Sequence, residues 1–290
     1  MDEGVKYLDY SLKPGGFRVS TAQRAWGDAW FRSRQALRRP EVRNRDAIKD
    51  AYLTILRASP TANASDLWHH VVYRRYCEVL PRHRLEDPRN SWVRASGEAL
   101  ELALEEWYTP VLEPHQITIK ALVGRPTKLA ALTAMNIHQA VGADKLDMAL
   151  YLSESAQIFG GVHVKASLAE RVSDDVPCSR AMMEKGFFSP LWTLDVKSFP
   201  PPKGSLINKG ELGTPEKPSA KRGYVEQHGD FDNLYSANTR SAPSLATTHS
   251  GKRVLAINLG LQPDLFAQEV IARAERRRTE GRAASPPPPR

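Results

Sequence analysis

The segments LDMALYL (146–152) and GVHVKAS (161–167) both alternate with a period of two, and only SESAQIFGG joins them. Alternation sends successive side chains to opposite faces of a strand. Leu146, Met148, Leu150 and Leu152 then share one face, and Asp147, Ala149 and Tyr151 the other. In the second segment Val162 and Val164 oppose His163 and Lys165. The linker lets the two segments pair as neighbours. An acid, Asp147, and an amine, Lys165, are therefore expected on the same side of one sheet.

The surrounding pattern is helices first, then strands. Helical spacing predicts a helix over 45–58 with Ile48, Tyr52, Ile55 and Leu56 inward. A second begins at Ser65 as N-cap and carries Leu67, Trp68, Val71, Val72, Val79 and Leu80. A third covers 96–108 with Leu100, Ala103, Leu104 and Trp107 as its stripe, and Pro110 ends it. Further strands are expected at ITIKALV (117–123), LWTLDVKSF (191–199) and VLAINL (254–259), before a closing helix with Asp264 near its start. The polar stretch from 200 to 250 reads as irregular arms that wrap a partner or as surface insertions.

At 290 residues and 41% apolar content the chain affords a sizeable core. The expected layout is a single domain over 1–270, helical to about 110 and sheet-based from about 115 to 260. A basic, Pro-rich tail at 271–290 is expected to fray. No run of about 18 apolar residues predicts a membrane span, and MDEGVKYLDYSL lacks the layout of a secretory signal. Cys77 and Cys178 are too few and too distant for a disulfide framework or a Cys-based zinc site, which points to the cytoplasm. The net charge of +8 favours a polyanionic partner.

A carboxylate beside a lysine suits phosphodiester hydrolysis. The carboxylate holds a divalent metal, and the lysine orients the nucleophile or steadies developing charge. The PD-(D/E)xK nuclease pattern places an acid two residues before the lysine, where this chain has His163. Another acid must come from elsewhere: Glu101, on a helix face with Glu98 and Glu105, or Asp174 and Asp175 just after the lysine strand. Each also has a plain structural reading. Asp147 fits a turn, the glutamates fit a solvated face, Ser167 and Glu170 match a capping box, and Asp175 suits a helix start with Pro177 behind it and Gly186 past the end. Asp195-Val196-Lys197 is a literal D-x-K and a competing centre. Glu170 and Arg171 read either as a surface ion pair or as donor and acceptor for neighbouring G·C pairs. His69 and His70 project about 100° apart on a helix, which argues against a shared metal. Lys203, Lys209, Lys217, Lys221 and Arg222 are candidate phosphate contacts.

SDLWHHVVYRRY, SWVRASGEALELAL, GGVHVKASLAERVSDDVP, SPLWTLDVKSFPPP and NKGELGTPEKPSAKRGYVEQHGDF span most of 43–250. Together they resemble the CCGG-cutting type II restriction endonucleases of the PD-(D/E)xK superfamily. The resemblance implies an α/β restriction-endonuclease-like fold, a central mixed β-sheet flanked by α-helices. It implies Mg²⁺-dependent hydrolysis of double-stranded DNA at a palindrome with a CCGG core, A/CCGGT, leaving 5′ overhangs. It places catalysis on Asp147, Lys165, Glu101 and Asp175, with metal on Asp147, Asp175 and Glu101. Base reading falls on Glu170 and Arg171, with Arg94 as a supplement; the group's arginine four residues after the lysine is replaced by Ala169. A homodimer on DNA and a separate methyltransferase complete the expected partners, with no membrane. Two other readings stay open: a structure-specific repair nuclease of the same fold, and a DNA-binding protein without catalysis.

Overall fold

The computed structural model describes residues 44–60, 62–73, 76, 88–142, 145–169, 172–196 and 210–283. Helix α1 (Asn44–Ala58) buries Ala47, Ile48, Ala51, Tyr52, Leu53, Ile55 and Leu56, the three- and four-residue spacing of one helical face. Helix α2 (Ala64–Asp66) passes directly into a π-helical segment, Leu67–Tyr73. Its cap is Asn63, whose side chain accepts from the Ser65 amide; Ser65 is the donor, not the expected cap. Val79 and Leu80 lie outside the described residues.

Helix α3 (Pro88–Leu112) is longer than expected and contains Pro110. Proline removes one amide donor and crowds the preceding turn. Here the helix runs only two residues further, to Leu112, which is fully buried and anchors the end. Ion pairs Arg45–Glu98, Lys49–Glu106 and Arg57–Glu106 join α1 to α3.

Strands β1 (Ile117–Ala121), β2 (Met148–Leu152), β3 (Gln157–Lys165), β4 (Leu191–Thr193), β5 (Leu234–Ser236) and β6 (Val254–Ala256) form one sheet in chain order. The pairs β1–β2 and β2–β3 are antiparallel, and β3–β4, β4–β5 and β5–β6 are parallel. The sheet is therefore mixed, and β3 is where its sense changes. A 3-10 turn at Glu113–His115 and helices α4 (Arg125–Ala134), α5 (Val172–Glu184), α6 (Ala220–Glu226) and α7 (Leu265–Ala283) complete the described elements. One core joins α1, α3 and α7 to Met148, Leu150, Val162 and Val164. Two further clusters join α4 and α5 to Ala149 and Ile158, and α5 and α6 to Leu191, Leu234 and Val254. Helices thus cover both faces.

The β2–β3 pairing carries a bulge. Leu152 faces Gln157 and Tyr151 faces Ile158, but Leu150 faces Gly160, which makes Phe159 an extra residue on β3. Beyond it the register runs Ala149 with Gly161 and Met148 with Val162. The glycines have no room to spare: a Cβ on Gly160 would meet the Phe188 carbonyl at 2.6 Å, and one on Gly161 would meet Leu146 Cδ1 at 2.7 Å.

Three expectations give way. Strand β4 stops at Thr193 rather than running to 199. Asp195 adopts φ 47, and its amide donates to Thr193 Oγ1, so the backbone bends out of the strand. The stretch expected as irregular holds α6 and β5. The expected tail from 271 is helical to Ala283 because Ala274 is buried and the arginines find acidic partners. Among the described residues no helix is long and apolar enough to cross a membrane.

Candidate active site

Asp147 ends the chain's approach to β2, where its carbonyl accepts from the Leu122 amide. By extension of the register it stands opposite His163, so Asp147, His163 and Lys165 share one face. Asp147 Oδ2 accepts from the Val164 amide at 2.8 Å and from Lys165 Nζ at 3.0 Å. Helix α5 then delivers Asp175, whose Oδ2 is 2.7 Å from Lys165 Nζ. One ammonium is thereby held between carboxylates from two elements.

His163 occupies the sheet position where the nuclease pattern would carry an acid. It is fully buried, with Nδ1 3.7 Å from Asp175 Oδ2 and Nε2 3.3 Å from Ser189 Oγ. Burial lowers its pKa, against the pull of Asp175 and Asp147. Asp175, from α5, is the second carboxylate against the lysine.

Glu101 reaches the same centre from α3. It is 7% exposed, and its Oε2 is buried without a hydrogen-bond partner. Burial, then the nearby Asp147 charge, pushes its pKa up to about 8 against the pull of Lys128 and Lys165. The three expected glutamates thus divide. Glu98 pairs with Arg45, Glu105 accepts from Lys120 Nζ and the Ala121 amide, and Glu101 joins the site.

Burial works against charge on Asp147, but Lys165, then Lys128 and the Val164 amide, outweigh it and hold the carboxyl down at about 2. Lys165 loses hydration by burial, yet Asp147 and Asp175 raise its pKa and keep it an ammonium. Lys128, from the first turn of α4, is the residue that sequence reasoning missed. Its Nζ is 3.3 Å from Asp147 Oδ1.

A divalent metal suits this donor set. Asp147, His163 and Asp175 each offer a ligand atom within 4.8 Å of the others, and the orphaned Glu101 Oε2 adds an oxygen without a proton donor. Magnesium binds through one or two carboxylates and keeps several waters, so no full protein cage is required.

The competing D-x-K is built differently. Asp195 is fully buried and accepts from the Glu211 amide at 2.6 Å and Ser241 Oγ at 2.6 Å. It pins two loops together, while Lys197 lies outside the described residues. Burial raises its pKa to about 6. Arg222 is also fully buried, pairing with Glu226 and donating to the Leu212 and Ala242 carbonyls, so it is not an exposed phosphate contact. Lys221 pairs with Glu211. Asp174 sits 3.7 Å from Lys145, and His69 stacks on Tyr73. Glu170, Arg171, Lys203, Lys209 and Cys77 lie outside the described residues, as do the side chains of Arg94 and His70.

Sequence and fold comparisons converge on one group of proteins. The family model described as BsaWI restriction endonuclease type 2 matches residues 124–258, a span containing Asp147, Lys165 and Asp175. The type II restriction enzyme AgeI of Thalassovita gelatinovora is 48% identical over 243 residues, covering 81% of this chain and 86% of that enzyme. The chain belongs to the type II restriction endonucleases. A crystal structure of an AgeI–DNA complex superposes on this endonuclease with a TM-score of 0.80 at 44% identity, covering 87% of this chain and 92% of that one. The α/β restriction-endonuclease-like architecture is thus established. In this endonuclease the acid, amine and acid cluster lies at the end of β3, where the antiparallel and parallel halves of the sheet meet.

Proposed function

We propose that this endonuclease hydrolyses double-stranded DNA at a palindrome with a CCGG core, A/CCGGT, leaving 5′ overhangs, with Mg²⁺ as its metal. The observation that carries the reading is Lys165 gripped by the buried carboxylates of Asp147 and Asp175 in a chain 48% identical to AgeI over most of its length. Asp147 and Asp175 hold the metal, with Glu101 as the further acid. A divalent cation bound there supplies positive charge to the phosphoryl oxygens and acidifies water. Lys165, kept charged by its two carboxylates, positions the attacking water and faces the negative charge that grows on the phosphoryl group. The Val164 amide fixes one Asp147 oxygen and with it the direction of the carboxylate.

Glu170 and Arg171 are the proposed readers of the CCGG core, helped by Arg94. An arginine fork matches guanine O6 and N7, and a carboxylate accepts from cytosine N4. Their position five and six residues after Lys165 would couple reading to cutting. Cleavage of both strands of a palindrome suits two copies related by a two-fold axis, hence a homodimer on DNA. A separate methyltransferase would protect host DNA in the cytoplasm.

The test is to incubate the purified protein with mixed plasmid DNA and Mg²⁺ and to sequence the ends. Discrete ends at A/CCGGT with 5′ extensions are expected. Ends at another hexamer would overturn the specificity, and random nicks or intact DNA would overturn the reading as a whole.

A further inference from the structure

Asp147 presents two oxygens, and they are not equivalent. Oδ2 is fastened to the sheet by the Val164 amide at 2.8 Å and by Lys165 Nζ at 3.0 Å. Oδ1 faces Lys128 Nζ at 3.3 Å. The two ammoniums are also held differently. Lys165 projects from the sheet and is gripped a second time by Asp175 at 2.7 Å. Lys128 reaches in from the first turn of α4, beside Arg125, Pro126 and Thr127, which are all exposed.

The charge balance sharpens the contrast. Glu101, Asp147 and Asp175 bring three carboxyls to a centre with two ammoniums, and Glu101 Oε2 is buried there with no hydrogen-bond partner. A dication ligated by Asp147 has one lobe available without dismantling the Val164 and Lys165 bonds, and Lys128 stands on that lobe. A dication and an ammonium cannot both sit within a few ångströms of one another at the same oxygen without strong repulsion. The Lys128 side chain is 15% exposed, and its flexible four-carbon stem springs from an exposed helix start, which gives the ammonium a way out.

We infer that Lys128 is a tethered counter-ion: it neutralises Asp147 Oδ1 until a divalent cation takes that oxygen, and then swings outward to a backbone phosphate of the DNA. The inference rests on the reading of this cluster as a metal site. Lys128 is therefore a positioning residue, and its removal has a signature that loss of a structural contact lacks: metal should bind more tightly to the DNA-free protein.

The test titrates Mn²⁺ into wild type, Lys128→Gln and Lys128→Arg without DNA, by calorimetry and by Mn²⁺ electron paramagnetic resonance. Lys128→Gln is expected to bind Mn²⁺ on the order of ten-fold more tightly, because a full charge leaves the lobe. Lys128→Arg, whose fork pairs more firmly with a carboxylate, is expected to bind it more weakly than wild type. Equal or weaker binding by Lys128→Gln, or tighter binding by Lys128→Arg, overturns the role of Lys128. The arginine variant keeps the charge at the site and so decides the matter even if the glutamine variant does not fold. Absence of Mn²⁺ binding in all three proteins would instead overturn the metal site itself. For the outward step, the salt dependence of DNA binding in the presence of Ca²⁺ should lose about one unit of slope in Lys128→Gln, and an unchanged slope overturns that step.

Discussion

Asp147 Oδ2 and Lys165 Nζ stand 3.0 Å apart although 18 positions separate the residues in the chain. The hairpin of β2 and β3 makes the pair, and Asp175 closes it from a helix. If this pair is the catalytic centre, Lys165→Ala and Asp147→Asn should each lower the cleavage rate by about 10²–10³-fold, the usual loss for one preorganised electrostatic group. DNA affinity should change far less. Single-turnover cleavage beside a gel-shift titration separates the two, and a Lys165→Ala protein that cuts normally would remove the assignment.

The acids of the site also set how stability varies with pH. Glu101 has an ordinary value of 4.5, raised to about 8 in the fold by burial and by Asp147. Between those values the unfolded chain releases a proton that the folded chain keeps, so stability falls as pH rises from 4.5 toward 8 and levels off above. Asp147 acts oppositely: lowered to about 2 from 3.8, it contributes stability above 3.8 that is lost as pH falls through 2. Melting temperatures of the metal-free protein should therefore decline from pH 5 to 8, and Glu101→Gln should flatten that decline. An equal slope in the variant would place the cause elsewhere.

Asp195 ties two loops together through its two carboxylate oxygens. Asp195→Asn keeps an oxygen for the Glu211 amide and a polar partner for Ser241, so cleavage should remain within a few fold of wild type. Gly210 is the sensitive neighbour. It has φ +74, and an added Cβ would meet Asp195 Oδ2 at 2.0 Å. Gly210→Ala should cost about 1–3 kcal/mol, measured by denaturant titration. A silent Gly210→Ala together with an inactive Asp195→Asn would restore Asp195 as a catalytic candidate.

Arg278 illustrates where part of the positive charge is spent. It donates to the His115 and Gln116 carbonyls at 2.9 and 3.1 Å and pairs with Glu154 at 2.8 Å, tying α7 to the outer strands. Arg278→Ala should lower stability by about 1 kcal/mol while leaving DNA affinity and its salt dependence unchanged. A reduced salt slope would show that Arg278 meets phosphate after all.

What could be read from the sequence was whatever has a period. Matching the apolar faces of the two alternating segments put Asp147 and Lys165 on one side, although the bulge that makes this possible left no mark, and helical spacing found α1 and the buried stripe of α3. Contacts between residues distant in the chain leave no such mark. Lys128, in GRPTK, carries no motif or period of its own, and only the path from β1 into α4 brings it over Asp147. The arginines of α7 read as surplus charge because a partner such as Glu154 lies 124 positions away. Asp195 fits its motif letter for letter, but its left-handed backbone takes it out of the strand. Pattern cannot report a dihedral angle.

The extra residue at Phe159 has a larger consequence than its local kink. Had the pairing of Tyr151 with Ile158 continued evenly, Asp147 would have met Val162, and Lys165 would have emerged on the far side of the sheet. The bulge works as a parity bit. Deleting that one position would leave both reactive groups in the protein and turn their backs on each other.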